Sequence, residues 1–330
     1  MVLVSLSVLY TDRLNPEIQP WIEQVRSGDI RALSRAISTV ENHAPGWSEL
    51  LKGLFPHSGK ARVLGLTGPP GAGKSTLVDQ LARFYRKDNR TVGIIAVDPT
   101  SPYTGGAILG DRIRMQDHFS DPGIYIRSMA TRGSLGGLAR TTADVATVLD
   151  ASGRDLVMIE TVGVGQDEVD IVRLADVTIV ILVPGMGDDV QTIKAGIMEI
   201  ADIFVINKSD RDGADHVERE IRALQSLATR RDGWTPPIVK TVASQGSGIE
   251  ELAIAISNYE THLQKENLAL NKSVENWQER LVEMLRDALL EKAREQMADG
   301  GVARYAAEVA EHKRDPYTLV EEITARVGRG

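Results

Sequence analysis

The sequence predicts an α/β fold: a doubly wound, mostly parallel sheet with helical extensions at both ends. Two observations predict it. From Ala61 onward, short β-branched runs alternate with longer stretches of helical periodicity, as in parallel βαβ units. Before Ala61 and after Leu263 the alternation is absent and only helical spacing remains. These changes divide the chain into an N-terminal helical extension over 1–58, an α/β domain over 59–262 and a C-terminal helical extension over 263–330.

The first ten residues, MVLVSLSVLY, are apolar but carry no basic segment or small-residue cleavage site, and are too few to span a bilayer. An N-terminal strand or frayed tail is expected there. Ile18, Trp21, Ile22 and Val25 recur at helical spacing, as do Ile30, Leu33, Ala36, Ile37 and Val40 after Ser27-Gly28-Asp29. Trp47, Leu50, Leu51 and Leu54 predict a third short helix. The strands are expected at Arg62–Thr67, Val92–Val97, Ile124–Arg127, Leu156–Glu160, Val177–Val183, Ile203–Asn207 and Ile238–Thr241, with helices such as Ser75–Lys87 and Asp215–Thr229 between them. Val274, Trp277, Leu281, Leu285, Ala288 and Leu289 mark a long helix to about Met297, followed by shorter ones at Val302–Glu311 and Tyr317–Val327. Its apolar stripe suits either intramolecular packing or a dimer arm.

Composition narrows the chemistry. The 330 residues include no Cys, which excludes disulfides, thiolate metal sites and a cysteine nucleophile. With 38 Lys and Arg against 46 Asp and Glu, the net charge of -8 argues against broad nucleic-acid binding. Any polyanion must be held locally. No stretch reads as a membrane span, so a cytoplasmic protein with no membrane partner is expected.

That local anion site is Gly68-Pro-Pro-Gly-Ala-Gly73-Lys74-Ser75, which matches G-x-x-x-x-G-K-[ST] between a predicted strand and a predicted helix. Its glycines let backbone N–H groups wrap phosphates at a helix N-terminus, Lys74 reaches the β/γ-phosphates and Ser75 ligates Mg2+. The nucleotide-binding set there is Gly68, Gly71, Ala72, Gly73, Lys74, Ser75 and Thr76. Ligands of such sheets lie at the carboxyl ends of the strands. There, after IFVIN, stands Asn207-Lys208-Ser209-Asp210, an N-K-x-D pattern in which Asp210 can accept from the ring N–H and exocyclic amine of guanine. Turns rich in Asn and Asp are common, but downstream of a phosphate loop this one favours GTP and GDP over ATP. Lys208 is expected along the base and the phosphate loop, with Asn207 fixing the loop.

Three carboxylates gather at or near the same edge: Glu160 ending LVMIE, Asp98 ending IIAVD, and Asp111 in GGAILGD. A Mg2+-shell or water-orienting role is expected of them, the plainer alternative being solvated loop acids. The Gly163 N–H is placed to sense a γ-phosphate. Glu160 stands where most small GTPases have Asp.

VDPTSPYTGGAILGDRIRM from Val97, GSLGGLA from Gly133, ETVGVGQDE from Glu160 and PGMGDDVQTIKAGIMEIADIFVINKSD from Pro184 together resemble the MeaB/ArgK family of P-loop GTPases. The resemblance covers nearly the whole chain and is densest from Arg62 to Asp210. It implies a homodimeric GTPase that acts as a chaperone for adenosylcobalamin-dependent methylmalonyl-CoA mutase or a related acyl-CoA mutase, gating cofactor loading and protecting the mutase. Asp98, Asp111 and Glu160 carry over as magnesium-shell or catalytic carboxylates. Asp188, Gln191 and Lys194 fall in the family's additional switch loop, Ser244 in its guanine-supporting loop, and the helical tail becomes a dimer arm.

Hydrolysis needs in-line water and neutralisation of spreading charge more than a strong base. Lys74 and magnesium supply the charge; Asp98 or Gln166 orients water, Asp98 ranking first because Gln166 lies three residues beyond Gly163. A metallochaperone GTPase would need Cys or clustered His, and the six His are scattered. A small-molecule kinase would need an acceptor site that no motif marks.

Overall fold

A computed structural model describes residues 18–98, 121–130, 137–161, 174–185, 200–227, 230, 232–265, 268–297 and 301–327. Three helices open it: α1 (Gln19–Arg26), α2 (Ile30–Glu41), capped by the Asp29 carboxylate accepting the Ala32 N–H at 2.7 Å, and α3 (Trp47–Leu54). The strands are β1 (Arg62–Thr67), β2 (Val92–Asp98), β3 (Ile124–Ala130), β4 (Leu156–Glu160), β5 (Val177–Leu182), β6 (Ile203–Asn207) and β7 (Ile238–Thr241). Between and after them run α4 (Lys74–Lys87), α5 (Gly137–Ala151), α6 (Ala214–Leu227) and α7 (Ile249–Lys265). Then come α8 (Leu268–Gln296), α9 (Gly301–Ala310) and α10 (Pro316–Val327).

The sheet order is β3-β2-β4-β1-β5-β6-β7 and every pairing is parallel. The chain adds β2 and β3 on one side of β1 and β5, β6 and β7 on the other, so the carboxyl end of β1 is the topological switch point where ligands bind. Alternate residues feed the two faces. Leu64, Leu66, Met158, Ile179 and Val205 pack with α4 and α7 on one face. On the other, Val157 and Ile159 pack with α5 and α1–α3, while Val180, Leu182, Phe204 and Ile206 pack with α6. Burial on both faces explains the continuous apolar runs of the central strands.

Two strands are longer than their β-branched runs. β3 continues through Ser128-Met129-Ala130 because its ladder with β2 persists to Asp98↔Ala130. Pairing on β2 outweighs the weak strand preference of those residues. The chain divides into two compact units at Lys272 and Ser273. Within the second, Tyr305 and Leu319 are buried, and Arg314 pairs with Glu322 at 2.5 Å. Among the described residues no helix is long and apolar enough to cross a membrane.

Charges close the sheet edge opposite the switch point. Asp202 is buried, with its carboxylate accepting the Thr178 N–H at 2.9 Å and pairing with Arg230 at 2.9 Å and Lys272 at 2.8 Å. Nearby, Asp176 accepts the Val63 N–H at 2.8 Å. Burial raises the pKa of Asp176, against the opposing pull of that N–H, Arg62 and Lys272. A carboxyl raised in the folded state supports folding fully below its unfolded pKa of about 3.9, and that support is lost as pH rises through the folded value. Asp176→Asn keeps the Val63 bond through its amide oxygen while removing the titration. The unfolding free energy of the native protein relative to this variant should therefore decline as pH rises above about 4 and through the raised folded value, measured by urea denaturation across a pH series. A difference that stays constant or rises would contradict the burial argument.

Candidate functional site

The β1 strand delivers Thr67 to a tight loop that ends where α4 begins. Glycine is required at two of its positions. Gly68 has φ +148°, and a Cβ there would run into the Ile181 carbonyl of β5; Gly73 has φ +90°, and a Cβ there would strike the Asn207 amide. Gly73 gives α4 a left-handed start without a side-chain cap, so the first N–H groups of the helix face the loop. Lys74 is 6% exposed, and its ammonium donates to the Gly68 carbonyl at 2.8 Å and the Pro69 carbonyl at 3.1 Å. The charge is therefore held inside the loop. Gly71 is exposed and Ala72 buried, the Ala72 N–H closes a turn onto the Pro69 carbonyl at 3.1 Å, and Thr76 is half-buried in the first turn of α4.

Ser75 and Glu160 meet across two elements. The Ser75 hydroxyl donates to Glu160 Oε1 at 2.6 Å, and Glu160 is 5% exposed at the end of β4. The ladder places Ala96 of β2 beside Glu160, so the Asp98 backbone ends β2 at the same sheet edge; the Asp98 side chain lies outside the described residues. Also outside them are Asp111, Gly163, Gln166, Asp188, Gln191 and Lys194, together with residues 1–17. Among the described residues no group of three His, Cys, Asp or Glu converges as a metal cage. A single carboxylate beside a serine hydroxyl is a hard oxygen pair that suits a cation sharing most of its shell with phosphates and water.

The second half of the site comes from the ends of β6 and β7. Asn207 is 2% exposed and uses its whole amide: Nδ2 donates to the Ala72 carbonyl at 2.7 Å, while Oδ1 accepts from the Thr241 hydroxyl and the Ala243 N–H, each at 3.1 Å. Lys208, at φ +55°, turns its ammonium onto the Gly71 carbonyl at 2.7 Å. The strained backbone at Lys208 is held by that bond and by the Ser209 N–H on the Thr241 carbonyl at 3.1 Å. Asp210 is exposed at the mouth of this arrangement, and Ser244 is exposed on the short turn Ala243–Gln245. Phosphate loop, Asn207–Asp210 and the Ser244 turn are thus joined through one side chain.

Sequence reasoning missed three threonines here. Thr67, Thr161 and Thr241 are buried and hydroxyl-bonded among the loops. Their only signal was position, each at the end of a strand or just past it.

Most of the sequence matches known proteins in the same sense. Residues 33–298 match the family described as "Methylmalonyl Co-A mutase-associated GTPase MeaB". A relative from Pyrococcus abyssi, whose name marks it as a candidate GTPase, is 47% identical over 94% of this chain and 97% of its own length. GTPase ArgK of Escherichia coli is 38% identical over 73% of this chain and 76% of its own. The mouse mitochondrial methylmalonic aciduria type A homolog is 35% identical over 74% and 64% respectively. A crystal structure of a LAO/AO transport system kinase superposes with a TM-score of 0.70 at 26% identity, covering 96% of this chain and 99% of that one. A phosphate loop clamped to a guanine-type motif, on a chain matched over most of its length, has one assignment: the protein belongs to the MeaB family and is a GTPase.

Proposed function

We propose that this GTPase is a chaperone of methylmalonyl-CoA mutase or a related cobalamin-dependent acyl-CoA mutase, gating adenosylcobalamin loading and protecting the loaded enzyme, in the cytoplasm. The family match over residues 33–298 carries this reading. Within it, the loop N–H groups and Lys74 hold the β- and γ-phosphates of GTP, and Lys74 offsets charge that spreads over the transferred group. Ser75, with Asp98, Asp111 and Glu160, would hold Mg2+, which when bound adds a second positive charge against the phosphates. The bonded Ser75 and Glu160 oxygens support that donor set. Asp98, ahead of Gln166, orients the attacking water, and Gly163 senses the γ-phosphate. Asp188, Gln191 and Lys194 couple the nucleotide state to the mutase. Nucleic acid and membrane have no part in the cycle.

Guanine selection falls to Asp210, with Lys208 and Ser244 beside it. A carboxylate there accepts two guanine donors, whereas an Asn side chain presents a donor that xanthine's extra carbonyl can accept. Asp210→Asn should lower GTP affinity by about a hundredfold or more and bring in xanthosine triphosphate, measured by competition against a fluorescent nucleotide. Retained GTP preference in that variant would remove Asp210 from base recognition.

The C-terminal segment supports a homodimer. Val274, Leu281, Leu285 and Leu289 follow a helical stripe on α8 and are 46%, 52%, 60% and 56% exposed. An apolar stripe of that length on a charged helix is what a second copy would cover. Replacing Leu281 and Leu285 together by Glu should halve the sedimentation mass and leave GTP affinity intact. An unchanged mass would take the arm out of the interface.

The chaperone role itself is tested by capturing each candidate acyl-CoA mutase on the immobilised full chain, in GDP and in a non-hydrolysable GTP analogue. Binding to one mutase with a nucleotide-dependent difference is expected. Capture that ignores the nucleotide would sink the switch, and capture of none would sink the chaperone assignment.

A further inference from the structure

The residue that follows Glu160 is held twice. Thr161 donates its N–H to the Leu66 carbonyl and its hydroxyl to the Thr67 hydroxyl, both at 3.1 Å. The β1–β4 ladder itself ends at Leu66↔Glu160, so these two bonds carry the seam one residue beyond the strand. Thr67 immediately precedes Gly68, the first residue of the phosphate loop. Thr67 and Thr161 are 0% and 1% exposed. By strand alternation they face the side of the sheet on which Val157 and Ile159 are packed. On such a face Val has the volume of Thr without a hydroxyl to desolvate, so a pair of hydroxyls is stable there only because it is bonded.

The same alternation sends Glu160 to the opposite face, where α4 brings Ser75. Glu160 is the last ladder residue of β4, and its backbone is fixed on the downstream side by what holds Thr161. We propose that Thr161 is a positioning residue: its hydroxyl bond to Thr67 fixes the Glu160 backbone against the root of the phosphate loop, and so holds the Glu160 carboxylate on Ser75 at the cation site. The inference rests on the reading of Ser75 and Glu160 as residues that hold the nucleotide's Mg2+. It assigns to a residue outside that pair the setting of its geometry.

The test is a binding measurement on the full chain. The affinity of a fluorescent non-hydrolysable GTP analogue is measured with EDTA and with MgCl2, and the factor by which Mg2+ tightens binding is the readout. Thr161→Val should keep the Mg2+-free affinity within about twofold and lower the tightening factor about five- to tenfold, the worth of one buried neutral hydrogen bond. Thr161→Ser should restore it. Thr67→Val should lower the factor as well, and the double Val variant should fall no further than the weaker single, because the bond between Thr161 and Thr67 is absent from both singles. An unchanged factor in Thr161→Val overturns the proposal, as does a Ser variant that fails like Val. So does a loss of Mg2+-free affinity in step with melting temperature, which would mean that Thr161 only packs. Glu160→Gln separates the two layers. If that variant keeps the native tightening factor, the cation reading of Ser75 and Glu160 fails; if it loses the factor while Thr161→Val keeps it, only the role of Thr161 fails.

Discussion

The Asn207 side chain is the point on which the nucleotide site turns. Its amide makes three buried bonds, to the Ala72 carbonyl, the Thr241 hydroxyl and the Ala243 N–H. The first reaches the phosphate loop after β1, and the other two reach the end of β7 and the turn that follows it, so one side chain from β6 ties together the ends of three strands. Removing the amide would leave two buried backbone groups without partners, at about 1–3 kcal/mol each, more than the net worth of the bonds themselves. The constraint runs in both directions. Gly73 must lack a side chain because Asn207 occupies the space where a Cβ would stand, so the phosphate loop and the guanine motif specify each other.

A site assembled from loop ends needs a rigid frame at the other end of the strands. The Asp202 cluster supplies it. Three donors meet this buried carboxylate, Trp234 donates to the Asp202 carbonyl at 2.9 Å, and Arg230 reaches the Ala201 carbonyl at 2.6 Å. Burial alone would lower the pKa of Arg230, but the Asp232 and Asp202 carboxylates hold it above its ordinary value. The buried Asp202 carboxylate is stable only because the half-buried Arg230 and Lys272 match it, and removing a partner is costly out of proportion to the bond lost. Asp150 does similar work ahead of β1, accepting the N–H groups of Gly59, Lys60 and Ala61. The frame is thus closed by charge at the base, while the switch-point edge keeps its backbone groups for a ligand.

The frame was far more legible in the sequence than the site's internal geometry. All seven strands stand where β-branched runs put them, because a parallel strand buried on both faces must be apolar throughout. The stripe on α8 was equally plain, since exposure does not alter helical spacing. The phosphate loop and Asn207–Asp210 were legible because their chemistry needs particular residues at fixed offsets. Thr67, Thr161 and Thr241 were not. A threonine at a strand end has good strand preference whatever its hydroxyl does, and only register between strands distant in sequence brings Thr161 to Thr67. The Asp202 cluster was hidden for the same reason, its members being separated by up to 70 residues.

Register also bears on why a glutamate ends β4. Glu carries one more methylene than Asp, so its carboxylate reaches further from the strand and has one more torsion to fix. In this chain it closes on the Ser75 hydroxyl at 2.6 Å from a backbone whose ladder stops at that residue. A longer side chain on a strand end tolerates less backbone freedom for the same placement, because an angular error at the backbone grows with the length of the lever. The two bonds that hold Thr161 remove that freedom on the downstream side, and the Leu66↔Glu160 register removes it on the upstream side. Reach and restraint therefore go together: a Glu at this position is compatible with a well-placed carboxylate to the extent that its neighbour is pinned to the phosphate-loop strand.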